Sequence, residues 1–306
     1  MGRGNNNRQQ QDRGAANDFG KANGRQQGGH KSGPQDSAPL PKREELIAAI
    51  KKQLESIQDA HDTLNIGGEV LNPTVNQKKL MNLIESKDIV FVNGPVGTGK
   101  TFWTCFAALK GLAAGKYDHI SLTAPAVEAG EKLGFLPGTK DEKMEEHVNQ
   151  ILESFDDLIG KGRRIQMQQA GLIEIAPHAF NRGRTYKRTL YILDECQNAT
   201  AKNLMTSIGR LGFKSTLVYM GDDRQNDRTS RTSAYVPFVA RFTKAAYAAE
   251  IGSVTMGKED VRRHPLLAKI VANDDDRPLE GFEDDQDSVI GKTGPRSVPG
   301  PSHSLS

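Results

Sequence analysis

The chain has 306 residues, in which 41 Lys and Arg against 38 Asp and Glu leave a formal net charge of only +3. No apolar stretch approaches the roughly 20 residues that span a bilayer, and the amino terminus is polar, so neither a membrane protein nor a secreted one is expected. The two cysteines have no metal-ligand spacing around them, which predicts a soluble protein of the reducing cytoplasm.

The two ends of the chain differ in composition from the middle. Residues 1–40 are nearly devoid of aliphatic side chains and rich in Gly, Gln, Asn and Arg, which predicts a disordered basic arm. Residues 274–287 carry eight acids and one arginine, so residues 273–306 are expected to form a disordered tail that is first acidic and then rich in Pro, Ser and Gly. These ends leave one predicted globular domain, residues 41–272.

Hydrophobic periodicity places two helices ahead of a regular alternation of strands and helices. An amphipathic helix is predicted from Lys42 to about Thr63, and a second helix after Pro73. Strands are then predicted over Ile89–Asn93, His119–Thr123, Ile173–Ala176, Leu190–Asp194, Thr216–Gly221 and Ser253–Met256, and helices over Phe102–Ala114, Lys140–Ile159, Ala201–Leu211, Ala234–Ala248 and Pro265–Ala272. This order predicts an α/β fold with a parallel sheet, helices on both faces, and ligands beyond the carboxyl ends of the strands.

The first predicted strand of the sheet opens directly into a loop that fits G-x-x-x-x-G-K-[ST]. The glycines of such a loop let backbone N–H groups surround phosphates. Lys100 is expected to reach the β- and γ-phosphate oxygens, and the Thr101 hydroxyl to ligate Mg²⁺. The sequence therefore predicts a nucleoside triphosphate site built from Gly94, Pro95, Val96, Gly97, Thr98, Gly99, Lys100 and Thr101.

Two carboxylates follow the strand that ends about 95 residues after this loop. Asp194 is expected to hold Mg²⁺ through its water shell, and Glu195 to accept the proton of the attacking water. An acidic pair after a strand can also cap a helix, but the phosphate loop upstream favours the catalytic interpretation.

The next strand ends in Gly-Asp with Gln225 three residues later. This G-D-x-x-Q run resembles the sensor motif of superfamily-one helicases, in which the glutamine reads the γ-phosphate or its water; ordinary turn chemistry is the alternative. The guanine-selecting Asn-Lys-x-Asp pattern is absent, so ATP is the expected nucleotide. Gln77 stands where helicase-like ATPases keep an adenine-reading glutamine, although it could also be a polar helix residue.

In this order the motifs resemble those of the PhoH family, ATPases named for phosphate starvation and found in bacteria and phages. The resemblance runs from about Asn76 through Ala272. It is carried by the phosphate loop and by Pro125–Gly138, Arg182–Thr185, Leu193–Asn198, Gly221–Asp227 and Arg263–Leu266.

The resemblance implies ATP binding and hydrolysis on a RecA-like P-loop NTPase core, similar to the first motor domain of superfamily-one helicases and linked to RNA or single-stranded DNA. The family usually has arginine where Ala124 stands, so one basic contact is missing and nucleic-acid handling is weakened. Two alternatives remain open, a nucleotide-dependent binding switch with little turnover and a small-molecule kinase.

Four arginines are candidates for contacts outside the phosphate loop. Arg182 and Arg184 could bind phosphates of RNA or merely solvate a loop. Arg263 takes the family position and is the expected arginine finger, while Arg210 could play that part or simply stabilise a helix C-terminus. Because the residues after the phosphate loop suffice for one RecA-like core, the finger is expected from a neighbouring subunit, which predicts a homo-oligomer, by analogy a hexameric ring.

Overall fold

A six-stranded sheet is the centre of the protein. In a computed structural model the described residues are 40–59, 63–123, 140–176, 185–222 and 233–262, with Leu266 and Lys269, and of residues 140–147 only the backbone is described. The elements in chain order are α1 Arg43–Ile57, β1 Leu64–Ile66, β2 Glu69–Leu71, α2 Val75–Ser86, β3 Ile89–Asn93, α3 Lys100–Ala113, β4 His119–Thr123, α4 Lys140–Ile159, α5 Lys161–Gln169, β5 Ile173–Ile175, β6 Thr189–Leu193, α6 Ala201–Ile208, β7 Thr216–Gly221, α7 Tyr235–Phe242 and β8 Ile251–Thr255.

The sheet has the strand order β5-β4-β6-β7-β3-β8, and all its pairings are parallel. At its end, Asn93 of β3 lies level with Gly221 of β7 and Thr255 of β8. The strands therefore finish at a common edge, called here the carboxyl edge. The predicted α/β fold with a parallel sheet is confirmed.

Alternate residues of the strands face two separate hydrophobic cores. Val90 and Val92 of β3 belong to a core shared with α1 to α5, whereas Phe91 between them belongs to a core shared with α6 and α7. Burial on both faces explains why the strands read as continuous apolar runs, as parallel strands do. Among the described residues, no helix is both long and apolar enough to cross a membrane.

The first helix ends earlier than predicted, and a β-hairpin follows it. α1 ends at Ile57, and beyond it the N–H of Asp59 donates to the carbonyl of Thr63 while the Asp59 carboxylate accepts from the Thr63 N–H, both at 2.9 Å. β1 and β2 then pair across Gly67 and Gly68, whose φ angles are +59° and +89°. A two-residue turn with two positive φ angles is the favoured hairpin connection, and the Gly-Gly pair is its sequence signal.

Other element bounds also differ from the prediction. α7 ends at Phe242, where the buried apolar stripe ends, and a separate short 3₁₀ turn follows. α5 was not predicted, and α6 is shorter than expected. The predicted helix over residues 265–272 lies outside the described residues except for Leu266 and Lys269, as do the basic arm and the acidic tail.

Candidate active site

A cavity of about 740 Å³ opens at the carboxyl edge. Its lining comes from five parts of the chain: the loop between β3 and α3 with the first turn of α3, the residues that follow β6 and β7, the hairpin β1–β2 with the start of α2, one side of α4, and Arg262 after β8. Parallel strands direct their carboxyl ends and the following helix N-termini to the same edge, so groups far apart in sequence meet there.

The loop between β3 and α3 has a backbone that only glycine tolerates at its two ends. Gly94 has a φ of +154°, and a Cβ there would lie 2.7 Å from the carbonyl oxygen of Met256. Gly99 has a φ of +81°, and a Cβ there would lie 3.0 Å from Cδ1 of Trp103. Any side chain at these positions would displace the loop from β8 or from α3.

Lys100 starts α3 and turns its side chain back into the loop. Its Nζ donates to the carbonyl of Gly94 and, at 3.0 Å, to that of Pro95. A lysine ammonium beside the amino terminus of a helix favours an anion for two reasons, the full charge and the exposed backbone N–H groups. The loop thus has the chemistry of a phosphate site.

Asp194 lies directly beside the start of α3. Burial, and after it the charge of the neighbouring Glu195, raise the pKa of its carboxyl to about 6. Three groups act in the opposite direction and lower this pKa: the Glu195 N–H, the Lys100 charge and a hydrogen bond from the Thr101 hydroxyl. The structure therefore brings together the Thr101 hydroxyl and the Asp194 carboxylate. The charges around that carboxylate do not fully compensate for its burial. An oxygen pair of this kind fits Mg²⁺, which takes few protein ligands and keeps waters and phosphate oxygens.

Glu195 is held in a left-handed backbone conformation with a φ of +55° and a ψ of +36°. Its carboxylate accepts a hydrogen bond of 2.6 Å from Nε2 of Gln197. A non-glycine residue in this region costs about 1–3 kcal/mol and persists only where its surroundings hold it. In this conformation Glu195 lines the cavity together with Asp194.

Gln197 is a functional candidate to which the sequence analysis gave no role. Its side chain is buried, with Nε2 on Glu195 and Oε1 accepting from the N–H of Asp222 at 3.0 Å. The hydroxyl of Ser233 also donates to its backbone carbonyl at 3.1 Å. Gln197 thus ties the end of β6 to the end of β7. Its signal was present in the Asp-Glu-x-Gln-Asn run.

Gln77 lies beneath the phosphate loop and lines the cavity. Its Nε2 donates to the carbonyls of Thr98 at 3.0 Å and Asp260 at 3.3 Å, and its Oε1 accepts from the N–H of Thr74 at 2.8 Å. Both amide hydrogens are therefore used, and among the described residues nothing else donates to Oε1, which keeps one lone pair.

The structure places Arg210 away from this site. It follows α6, and its carbonyl accepts from the N–H of Tyr186 ahead of β6, so it lies at the amino edge of the sheet. A role at the nucleotide of its own subunit is thereby excluded. The other predicted contacts, Arg182, Arg184, Gln225 and Arg263, lie outside the described residues, as does Ala124.

Comparisons with known proteins place the chain among the members of one family. Residues 69–273 match the family described as PhoH-like protein. A PhoH-like protein of Bacillus subtilis is 35% identical over 235 residues, which cover 74% of this chain and 73% of the relative. A PhoH-like protein of Mycobacterium bovis is 39% identical over 215 residues, which cover 69% of this chain and 59% of the relative. The protein PhoH of Escherichia coli is 32% identical over 246 residues, which cover 76% of this chain and 67% of the relative.

Solved structures resemble the chain more distantly. A large terminase from a thermophilic bacteriophage matches with a TM-score of 0.42 and 9% identity over 64% of this chain and 48% of its own. The UvsW helicase from bacteriophage T4 matches with a TM-score of 0.39 and 15% identity over 66% and 67%. The fold is therefore assigned from the strand order and the glycine loop, and not from these likenesses.

The burial of the Asp194 carboxylate should lower the free energy of unfolding of the protein, and this can be tested. Its pKa is raised from 3.8 to about 6, so folding opposes its ionisation, and stability falls as the pH rises through that window. We expect Asp194→Asn to raise the free energy of unfolding at pH 8 by on the order of 1–3 kcal/mol, and to do so much less at pH 4. The measurement is urea unfolding in EDTA.

The matched control is Asp157→Asn, which neutralises an exposed carboxylate of the same cavity and should bring no such gain. If Asp194→Asn proved no more stable than wild type at pH 8, the burial cost would be contradicted.

Proposed function

The chain belongs to the PhoH-like family, and from this premise we propose that it hydrolyses ATP with Mg²⁺, in a cycle coupled to RNA or single-stranded DNA. The observation that carries the proposal is the meeting of Lys100, Thr101, Asp194 and Glu195 around one cavity, although about 95 residues separate the two pairs. The match covers only 59% of the length of the Mycobacterium bovis relative. The activity is therefore proposed for the present chain alone.

Each of these side chains has a distinct part in the proposed reaction. The loop N–H groups and Lys100 bind the phosphates, and Thr101 and Asp194 would hold Mg²⁺, which would neutralise charge on the phosphate oxygens. Glu195 accepts the proton of the attacking water. Gln225, three residues beyond Asp222, is proposed to sense the γ-phosphate. A small-molecule kinase also uses a carboxylate, to accept the proton of its acceptor hydroxyl, but it should lack the Gly-Asp-x-x-Gln run, so the presence of Gln225 favours hydrolysis.

The fixed amide of Gln77 supports ATP over GTP. Its orientation cannot be reversed without losing the bonds to Thr98, Asp260 and Thr74. Counting the described residues, the hydrogen-bonding capacity that remains is an acceptor lone pair on Oε1, which suits a hydrogen-bond donor. The exocyclic amine of adenine is such a donor, whereas the corresponding oxygen of guanine is not. We therefore propose that Gln77 reads adenine.

Coupling to nucleic acid and assembly are the further parts of the proposal. The basic arm and the pair Arg182 and Arg184 would bind phosphates of RNA or single-stranded DNA, and the acidic tail would compete with them. Arg263 would act on the nucleotide of a neighbouring subunit in a hexameric ring. Two buried free thiols, Cys105 and Cys196, suit a cytoplasmic setting.

The central experiment compares three proteins in a phosphate-release assay with Mg²⁺ and ATP. Lys100→Ala should abolish ATP binding, because it removes the cation of the phosphate loop. Glu195→Gln should bind ATP as wild type does, while kcat falls by about 10²–10⁴, the usual contribution of a general base. The assay is repeated with homopolymeric RNA and single-stranded DNA, which should raise the rate of the wild type.

Equal turnover of wild type and Glu195→Gln would remove Glu195 from the mechanism. Tight ATP binding without phosphate release by the wild type, in the presence of either nucleic acid, would favour the binding switch instead.

A second prediction concerns Gln197, which holds Glu195 and Asp222 in place. Gln197→Met keeps the side-chain volume but removes both hydrogen bonds, so Glu195 loses its fixed position. We expect kcat to fall by about 10–100-fold, the usual effect of misplacing a catalytic group by about an ångström, with KM for ATP nearly unchanged. Gln169→Met, an exposed glutamine of α5, is the control. A rise in KM without loss of kcat would contradict the positioning role.

A third prediction tests the arginine finger by mixing inactive variants. If Arg263 works across an interface, Glu195→Gln subunits supply it to the intact sites of Arg263→Ala subunits, and the mixture regains activity. A mixture of Glu195→Gln with Lys100→Ala should stay inactive, because both residues serve the site of their own subunit. Failure of the first mixture to recover after confirmed subunit exchange would point to a role within one subunit or to Arg210.

A further inference from the structure

The segment that follows β8 packs against the phosphate loop. The N–H of Met256 donates to the carbonyl of Asn93 at 2.8 Å, where β3 ends, and the N–H of Arg262 approaches the carbonyl of Gly97 at 3.5 Å. Residues 256–262 therefore run along one side of the loop, from the end of β3 at Asn93 to Gly97 in the middle of the loop.

Asp260 anchors this segment from below. Its side chain is fully buried, and its carboxylate accepts from the hydroxyl of Thr74, from Nδ2 of Asn76 at 2.9 Å and from the N–H of Gly257 at 2.8 Å. Its backbone carbonyl accepts from Gln77, whose side chain also holds the phosphate loop. The segment, the start of α2 and the loop are thus connected by hydrogen bonds into one support.

Arg262 stands two residues beyond this anchor. Its side chain is exposed and lines the cavity, and within the described part of the chain its guanidinium has neither a hydrogen bond nor an ion pair. The anchoring of Asp260 and the burial of Val261 therefore position the Arg262 guanidinium at the cavity, where it pairs with none of the described acidic side chains.

The strand order decides which end of a bound nucleotide Arg262 would meet. β6 and β7, which carry Asp194, Glu195 and Gln197, lie on one side of β3, whereas β8 lies on the other. The reacting phosphate must face Asp194 and Glu195. Arg262 follows β8 and so lies on the opposite side of the loop, where the nucleoside end of a triphosphate leaves the phosphate cradle.

The hairpin β1–β2 contributes to the same region of the cavity. Glu69, Val70, Leu71 and Asn72 line it, and Val70 is 59% exposed although it is apolar. Gln77 follows the hairpin by a few residues. The region therefore offers an apolar surface, an amide acceptor and a guanidinium that pairs with none of the described residues, the set of contacts that a flat, polar-edged heterocycle requires.

Building on the proposed ATPase function, we infer that Arg262 and the hairpin β1–β2 form the slot for the adenine base of the nucleotide, with the guanidinium stacked on the face of the ring and Val70 in contact with it. A planar guanidinium stacks on aromatic rings, whereas a lysine ammonium offers only a point charge. Arg262 is thus a binding residue of its own subunit, distinct in role from the neighbouring Arg263.

The test separates a base contact from a phosphate contact. Dissociation constants of Mg·ATP and of Mg·tripolyphosphate, which lacks the nucleoside, are measured for wild type, Arg262→Ala, Arg262→Lys and Val70→Ser. Lys258→Ala is the matched control, because Lys258 is an exposed cation of the same segment that does not line the cavity. Trp103, the only tryptophan, lies against Gly99 of the loop and provides a fluorescence signal.

Arg262→Ala should weaken Mg·ATP binding by about tenfold and leave tripolyphosphate binding unchanged. Arg262→Lys should remain weaker than wild type for ATP, and Val70→Ser should show a smaller loss of the same kind. In steady-state assays Arg262→Ala should raise KM for ATP and change kcat by less than about twofold, since the reacting phosphate lies on the other side of the loop.

Equal losses for ATP and tripolyphosphate would overturn the inference and make Arg262 a phosphate ligand. A large loss of kcat would overturn it in favour of a catalytic arginine, and wild-type affinity of Arg262→Ala for ATP would overturn it outright. Failure of the proposed function has a different signature, since the wild type itself would then bind neither ligand, or would bind Mg·ATP without releasing phosphate.

Discussion

The meeting of Asp194 with Thr101 and Lys100 is the contact on which the site depends. It joins the end of β6 to the first turn of α3, across the intervening strand β7. Burying a carboxylate there disfavours its charged form, as its pKa of about 6 indicates. The fold therefore maintains an ionisable oxygen in a place that a cation would stabilise, which is the arrangement expected of a site that functions only with its ligand bound.

Two supports keep the phosphate loop next to this carboxylate. Gln77 holds the loop from beneath through Thr98, and Asp260 links Gln77 to the segment after β8. On the other side, Gln197 links Glu195 to the end of β7. The groups that would bind the nucleotide and the groups that would act on water are thus held by separate hydrogen-bond networks, one on each side of β3.

Local patterns were enough to predict much of this protein. The apolar runs of β3, β4, β6 and β7 predict buried parallel strands because both faces of each strand are covered. The glycine loop and the Asp-Glu pair carry their chemistry within a few consecutive residues, so their positions follow from the alternation of strands and helices. The hairpin β1–β2 was missed because its strands are only three residues long, which is too short for a periodic signal.

The sequence by itself determined the fold class, the PhoH-like family and the residues of the phosphate loop and acidic pair, since each rests on contiguous residues or on strict alternation. Only the tertiary structure decided that Gln77 uses its amide hydrogens on the phosphate loop, that Gln197 joins two strand ends and that Arg262 lines the cavity. It also placed Arg210 at the opposite edge of the sheet. These facts depend on strand order and on hydrogen bonds between residues up to 186 positions apart, and no local pattern of side chains encodes such distances.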